Sequence, residues 1–235
     1  MTKRTAAQRR TLGERLQRGA DLLCHARHMG SGAIAAYNLA SRNSRNWRAT
    51  ALVATTYATD KADGILARQA SVVLDRPPTP EGKKLDQTVD KKAHNMLAAS
   101  HIITAWQRRQ RVFAGVMAVS LGVQMWRDRI VNTKRDEADA VARDTDTTIH
   151  TGSIRSSKVK MAVIAAADIG TQSPVADSRT GRLALGTAHV AGTVLSVTTG
   201  MHLVSELNGG ISDALATPYP DELPVAAPAP DPAQA

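Results

Sequence analysis

The chain has 235 residues and carries 30 lysines and arginines against 21 aspartates and glutamates, which gives a formal charge of +9. Aromatic residues make up only 3 %, so the core must consist of small aliphatic side chains, a composition that favours packed helices over a β-sandwich. The single cysteine, Cys24, excludes an internal disulfide framework and a metal site built from several cysteines. Four classes remain open: a basic soluble helical protein, a nucleic-acid-binding protein, a peripheral membrane protein and a weakly hydrophobic integral membrane protein.

The N-terminal segment, residues 1–20, is rich in arginine and lysine and precedes every apolar run. Its charged residues are Lys3, Arg4, Arg9, Arg10, Arg15 and Arg18. This pattern predicts a basic amphipathic helix that lies against anionic lipid or contacts nucleic acid.

Several apolar runs follow. The longest is residues 183–205, with 23 residues free of Asp, Glu, Lys and Arg. A helix that crosses a bilayer needs about 20 such residues. Weaker runs lie at residues 29–41, 49–59, 93–106, 112–126 and 161–167. On hydropathy alone, these runs fit membrane spans and the core helices of a soluble bundle about equally well.

Proline and glycine mark the expected breaks between helices. The stretch DRPPTPE at residues 75–81 predicts a break, and Pro174 with Gly181 predicts a loop over residues 171–182. LNGG at residues 207–210 predicts a helix stop. Six of the ten prolines follow Thr217, so we expect a disordered tail over residues 211–235.

Two groups of carboxylates have a spacing that suits metal chemistry. On a helix, Asp60 and Asp63 share one face, while Gly82, Asp86 and Asp90 form a stripe in steps of four. If two neighbouring helices bring these faces together, four carboxylates repel one another unless hard cations such as Mg²⁺ or Mn²⁺ neutralise them. The alternative is that these are solvated surface carboxylates beside Lys61, Lys83, Lys84, Lys91 and Lys92.

The same residues carry a resemblance to a known family. The pattern D-x2-D-G-x2-A-R followed by G-x3-D-x3-D is similar to the signature of the CDP-alcohol phosphatidyltransferases. All eight fixed positions are filled, by Asp60, Asp63, Gly64, Ala67, Arg68, Gly82, Asp86 and Asp90. GKKLDQTVDK further resembles the phosphatidylglycerophosphate synthases, although Gln87 and Val89 depart from their pattern. The 13 residues between Arg68 and Gly82 form a longer connection than the family usually has, which a surface loop would accommodate.

The resemblance continues later in the chain and implies a fold. WRDRIVNTKR at residues 126–135 and SKVKM at residues 157–161 are similar to family stretches that place Arg127, Lys158 and Lys160 at helix ends. The implied fold is an all-α membrane bundle of about six transmembrane helices over residues 21–210, preceded by the amphipathic helix and followed by the tail. The implied location is the plasma (inner) membrane, with the active site on the cytosolic side.

The resemblance also implies an activity and roles for individual residues. The enzyme would transfer a phosphatidyl group from CDP-diacylglycerol to an alcohol, most readily glycerol 3-phosphate, and release CMP. Asp60, Asp63, Asp86 and Asp90 would bind Mg²⁺ or Mn²⁺, and Asp90 would also accept the alcohol proton. The substrate-binding residues would be Gly64, Ala67, Arg68, Gly82, Arg127, Lys158 and Lys160.

Two further expectations concern partners and a rival function. The resemblance implies a homodimer in contact with membrane lipid and no nucleic-acid partner. The rival, based on the charge of +9, is a non-catalytic basic helical protein that binds anionic lipid or nucleic acid.

Overall fold

The computed structural model describes residues 6–41, 43–75, 80–149 and 155–216, and within them it leaves out the side chains of residues 80–88, 90 and 155–157. The described residues form six α-helices and one short 3₁₀ helix, with no strand among them. The expected all-helical architecture is therefore confirmed for this part of the chain.

The first helix, α1, runs without interruption over Ala6–Ala40. Residues 6–20 of the predicted basic segment form its first part. This part packs closely on the second helix, since a Cβ placed on Gly13 would lie 2.3 Å from Cγ of Leu74. The basic part of α1 is thus packed on the bundle at Gly13, whereas residues 6–11 are exposed.

The next two helices are α2, Trp47–Leu74, and α3, Pro80–Gln107. The Asn46 side chain caps α2 by accepting a hydrogen bond of 2.9 Å from the Ala49 N–H. Asp75, with φ of 49°, ends α2 in the left-handed conformation, and Pro80 occupies the first position of α3. The predicted break at residues 75–81 is confirmed at its start, whereas α3 already includes the last two residues of that stretch, and residues 76–79 lie outside the described part.

The remaining helices are α4, Arg111–Asp144, α5, Arg155–Gln172, and α6, Arg179–Ala216, with the 3₁₀ turn Pro174–Asp177 between the last two. The predicted loop at residues 171–182 is therefore shorter than expected and partly helical. The predicted stop at residues 207–210 is wrong, because Leu207 and Ile211 continue the packing of α6 against Val131 and Ala138 of α4. Residues 211–216 of the predicted tail are helical, and residues 217–235 lie outside the described part.

Polar contacts hold one end of the bundle together. Arg45, just before α2, is buried, and its Nη1 donates to Gln110 Oε1 at 2.8 Å, to Ala176 O at 3.2 Å and to Asp177 Oδ1 at 3.0 Å. These contacts join three of the connections between helices. Asp60 and Asp63 lie near the middle of α2, about 20 Å along the helix from its start at Trp47, so these contacts and the predicted metal ligands lie far apart.

The helices pack as a bundle in which α1 contacts α2 and α3, α4 contacts α3 and α6, and α5 contacts α2 and α6. Across the ranges that the structure describes, no helix combines the length and the apolar character that crossing a bilayer requires.

Candidate functional site

The acidic pair of α2 converges on one cationic group. Arg27 of α1 is 5 % exposed, and its Nη1 donates to Asp60 Oδ1 and lies 3.4 Å from Asp63 Oδ2. One positive nitrogen is therefore in ionic contact with both carboxylates. Carboxylate oxygens are also the kind of ligand that Mg²⁺ and Mn²⁺ prefer, so this pair could supply part of a metal site.

The second half of the predicted metal set lies on α3. The structure places residues 82, 86 and 90 on this helix, but the side chains of Asp86 and Asp90 lie outside the described part. Among the side chains that are described, no group of three or more His, Cys, Asp or Glu is arranged to hold a metal ion.

Three further signature residues of α2 lie beside the acidic pair. Gly64 is partly buried, and a Cβ built on it would meet only Nη1 of Arg68, at 3.5 Å, so the helix surface there is open to an approaching ligand. Ala67 is partly buried and Arg68 is exposed. A ligand seated against Gly64 would therefore find the guanidinium of Arg68 at its edge.

A basic cluster is formed by side chains of α3, α4 and α5, and on α3 it starts directly after residue 90. We use this name for four residues: Lys91 of α3, Arg127 and Arg135 of α4, and Lys160 of α5. All four lie close enough to Asp128 to interact with it electrostatically, and Arg127 Nη1 donates to Asp128 Oδ1 at 2.5 Å. Lys91 Nζ donates to Asn132 Oδ1 at 2.7 Å. Asp136 also acts on Lys91 and Asp139 on Arg135, so four cations face three carboxylates, and the remaining positive charge suits an anionic ligand.

Burial lowers the pKa of three residues of the basic cluster. Burial, followed by the positive charge of Arg127, lowers the pKa of Lys160 to about 8, against the opposing pull of Asp128. Burial also lowers the pKa of Lys91 and of Arg135. A bound anion would relieve the repulsion among these groups. Of the three basic residues predicted to bind substrate, the structure brings Arg127 and Lys160 into one cluster, whereas Lys158 is exposed.

A glycine of α6 makes room for the central arginine of this cluster. A Cβ on Gly200 would lie 2.3 Å from Nε of Arg127, so only glycine lets the arginine side chain cross the helix surface at this point. Arg127 is 8 % exposed, and its guanidinium is fixed between Gly200 and Asp128. A side chain held in this way is preorganised for binding.

A second polar group, which we call the buried polar network, lies in the middle of the bundle. Its centre is Asp168 of α5, which is fully buried and accepts a hydrogen bond from Tyr57 Oη. Asp168 also lies 3.1 Å from Nδ1 of His94 and 4.0 Å from Nδ1 of His101. Nε2 of His94 contacts Gln124 Oε1 at 3.2 Å.

The buried polar network was not predicted from the sequence, although two signals were present. His94 and His101 are seven residues apart and so share a face of α3. Asp168 is the only acidic residue in the run MAVIAAADIG. A lone carboxylate in an apolar run must find a partner when it is buried, and histidines on a neighbouring helix can supply one.

Comparison with known proteins identifies the family. No curated protein and no solved structure matches the chain. The family CDP-alcohol phosphatidyltransferase matches residues 19–206, a stretch that includes all six helices at least in part, the acidic pair and the basic cluster. Members of this family are transferases of phospholipid biosynthesis that use a CDP-alcohol as donor, and they are typically embedded in membranes. Because the match covers most of the sequence, the chain belongs to the CDP-alcohol phosphatidyltransferase family.

Proposed function

We propose that the protein transfers the phosphatidyl group of CDP-diacylglycerol to glycerol 3-phosphate and releases CMP. The observation that supports a phosphorylated acceptor is the basic cluster, which begins at Lys91, the residue directly after Asp90. Burying four cations close together costs free energy, and a neutral alcohol carries no charge that could offset this cost.

The donor site in this proposal is the acidic pair with its surroundings. Asp60, Asp63, Asp86 and Asp90 would hold Mg²⁺ or Mn²⁺, which when bound neutralises the diphosphate and polarises the phosphorus that is attacked. Gly64 leaves space for the nucleotide beside α2, with Ala67 and Gly82 as further small neighbours, and Arg68 supplies a guanidinium that can pair with a phosphate.

The acceptor site is the basic cluster. Arg127 and Lys160, together with Lys91 and Arg135, bind the phosphate of the acceptor and turn its hydroxyl towards the donor. Asp90 accepts the hydroxyl proton as the new oxygen–phosphorus bond forms and the bond to CMP breaks. Lys158, which is exposed, would act at the edge of this site.

The proposed location is the plasma (inner) membrane, with both sites on the cytosolic side and the protein as a homodimer. Large apolar side chains exposed on several helices support contact with lipid, among them Leu22, Met29, Val72, Val112 and Leu183. The basic residues next to the site support the cytosolic side.

The test is turnover by purified protein in detergent. Incubation with CDP-diacylglycerol, Mn²⁺ or Mg²⁺ and glycerol 3-phosphate should release CMP and form a phosphorylated lipid in equal amounts. Asp90→Asn should abolish both products, while Asp75→Asn, a matched change at an exposed helix end, should leave turnover intact. A panel of other alcohols in place of glycerol 3-phosphate identifies the acceptor.

Two results would contradict the proposal. Equal turnover with neutral alcohols would remove the case for a phosphorylated acceptor. Binding to anionic vesicles without any CMP release would favour the rival function, a non-catalytic basic lipid-binding protein.

A further inference from the structure

A long cleft lies between α1 and α2. Its volume is about 960 Å³, at the upper end of the range of about 300–1,000 Å³ that small-molecule sites occupy. The α1 wall consists largely of small residues, Ala26, Gly30 and Ala33, and Ile34 adds a larger apolar side chain. At Gly30 the two helices approach closely, since a Cβ built there would lie 3.3 Å from Cγ2 of Thr56, so a larger side chain on α1 would narrow the cleft.

The α2 wall is also apolar in practice, although it contains threonines. Thr55 Oγ1 donates to Ala51 O at 2.8 Å, and Thr56 Oγ1 donates to Val53 O at 2.7 Å. Thr59 Oγ1 donates to Thr56 O at 2.7 Å. Because these hydroxyls are bonded within their own helix, the wall suits an alkyl chain better than a polar ligand.

The two ends of the cleft differ in chemistry. One end is lined by Arg27 and Thr59, next to the acidic pair at Asp60. The other end is lined by Trp47 and Arg48 at the start of α2. From Thr59 to Trp47 the helix rises about 18 Å, so the cleft is a long channel that begins at the proposed donor site.

We propose that this cleft binds one acyl chain of the CDP-linked lipid donor. The inference rests on the proposed function, because it takes the donor diphosphate to lie at the acidic pair. The lipid headgroup then lies beside Arg27, and the chain runs along Gly30 and Ala33 towards Trp47. The small residues of α1 set the width of the channel and therefore which chains enter it.

The first test fills the channel about 9 Å beyond Arg27, the rise over the six residues from Arg27 to Ala33. Ala33→Trp should lower kcat/KM for dioleoyl CDP-diacylglycerol by at least about tenfold, because the long chain loses its buried contacts. With the dihexanoyl donor, whose chains end before this point, kcat/KM should change less than about twofold. Ala118→Trp, on an exposed face of α4, is the matched control and should affect neither donor.

A second measurement does not depend on turnover. A CDP-diacylglycerol analogue with a photoreactive diazirine at the end of one acyl chain should label residues 47–52 of the wild-type protein. Labelling of these residues should fall in Ala33→Trp and persist in Ala118→Trp.

The outcomes separate this inference from the proposed function. Equal losses with both donors in Ala33→Trp, or labelling spread over other helices, would overturn the acyl-chain site while leaving the transferase intact. No CMP release from wild-type protein with either donor would instead contradict the proposed function.

Discussion

Arg27 is the residue on which the acidic pair depends when no metal is bound. Its single positive charge is shared between Asp60 and the buried Asp63. Replacing it by glutamine leaves two carboxylates facing each other, and removing one partner of a buried ion pair costs about 3–5 kcal/mol. Arg27→Gln should therefore lower the melting temperature in metal-free buffer, and added Mn²⁺ should raise it more than in the wild-type protein.

The larger effect of Mn²⁺ is expected because the ion no longer competes with the guanidinium for the same oxygens. Arg10→Gln is the control, since the Arg10 side chain is 81 % exposed and pairs only with its helix neighbour Glu14 among the contacts described. Equal Mn²⁺-induced shifts in Arg27→Gln and wild type, measured by thermal unfolding, would show that Arg27 and the metal occupy separate places.

Lys160 predicts how acceptor binding depends on pH. Burial and the charge of Arg127 lower its pKa to about 8, so the free enzyme loses this positive charge as the pH rises through about 8. We expect kcat/KM for glycerol 3-phosphate to fall over that interval, because a neutral lysine attracts a phosphate less strongly. Arginine keeps its charge over this interval. In Lys160→Arg, kcat/KM should therefore not fall between about pH 6.5 and 9.5, a range of roughly one to two units on either side of the wild-type pKa.

The control for this profile is Lys92→Arg, since Lys92 is exposed on α3 next to the cluster. Its profile should match that of the wild type. A profile in Lys160→Arg that still falls near pH 8 would assign the titration to another group.

At the scale of helices, the buried polar network ties α2, α3, α4 and α5 together. Gln124 donates its amide N–H to Thr193 Oγ1, which leaves its oxygen to accept from His94. Nε2 of His94 therefore faces Gln124 Oε1, and Nδ1 faces the carboxylate of Asp168. A positively charged ring, which carries a proton on each nitrogen, donates a hydrogen bond to both acceptors. The network is therefore a buried ion pair with additional hydrogen bonds.

Removing the carboxylate should be costly. Asp168→Asn should lower the free energy of unfolding by about 3–5 kcal/mol, because His94 and Tyr57 lose a charged partner inside the bundle. Glu137→Gln breaks a surface pair with Lys134 and should cost only about 0–1 kcal/mol. Chemical or thermal unfolding in detergent measures both, and equal small losses would mean that the network contributes little to stability.

The helices and the local motif could be predicted from the sequence, whereas the side-chain contacts between helices could not. The proline-rich break at residues 75–81 and the helical faces of Asp60 and Asp63 follow from local geometry. The helix stop expected at residues 207–210 failed because the burial of Leu207 and Ile211 outweighs the low helix propensity of two glycines. The contact of Arg27 with the acidic pair, 33 residues away, and that of Tyr57 with Asp168, 111 residues away, depend on tertiary packing that no local pattern encodes.

At the scale of the whole molecule, the outer surface predicts how the protein is held at a membrane. Leu22, Met29, Val72, Val112 and Leu183 are between 66 % and 84 % exposed and come from four different helices. Apolar side chains distributed in this way are shielded from water if lipid surrounds the bundle. We therefore expect the protein to stay with membranes in high salt and to need detergent for release.

The matched variant for this experiment removes positive charges that could attach the protein to the membrane in place of apolar contacts. The basic start of α1 carries the exposed Arg9, Arg10 and Arg15, which attract anionic lipid through charge. Charge attraction is screened within about 10 Å at 0.1 M salt, so a protein held only by these arginines would leave the membrane in high salt. Replacing all three by glutamine should leave the membrane fraction unchanged if apolar contact holds the bundle. Release of this variant at low salt would instead show that the arginines alone attach it, and that the bundle lies outside the lipid.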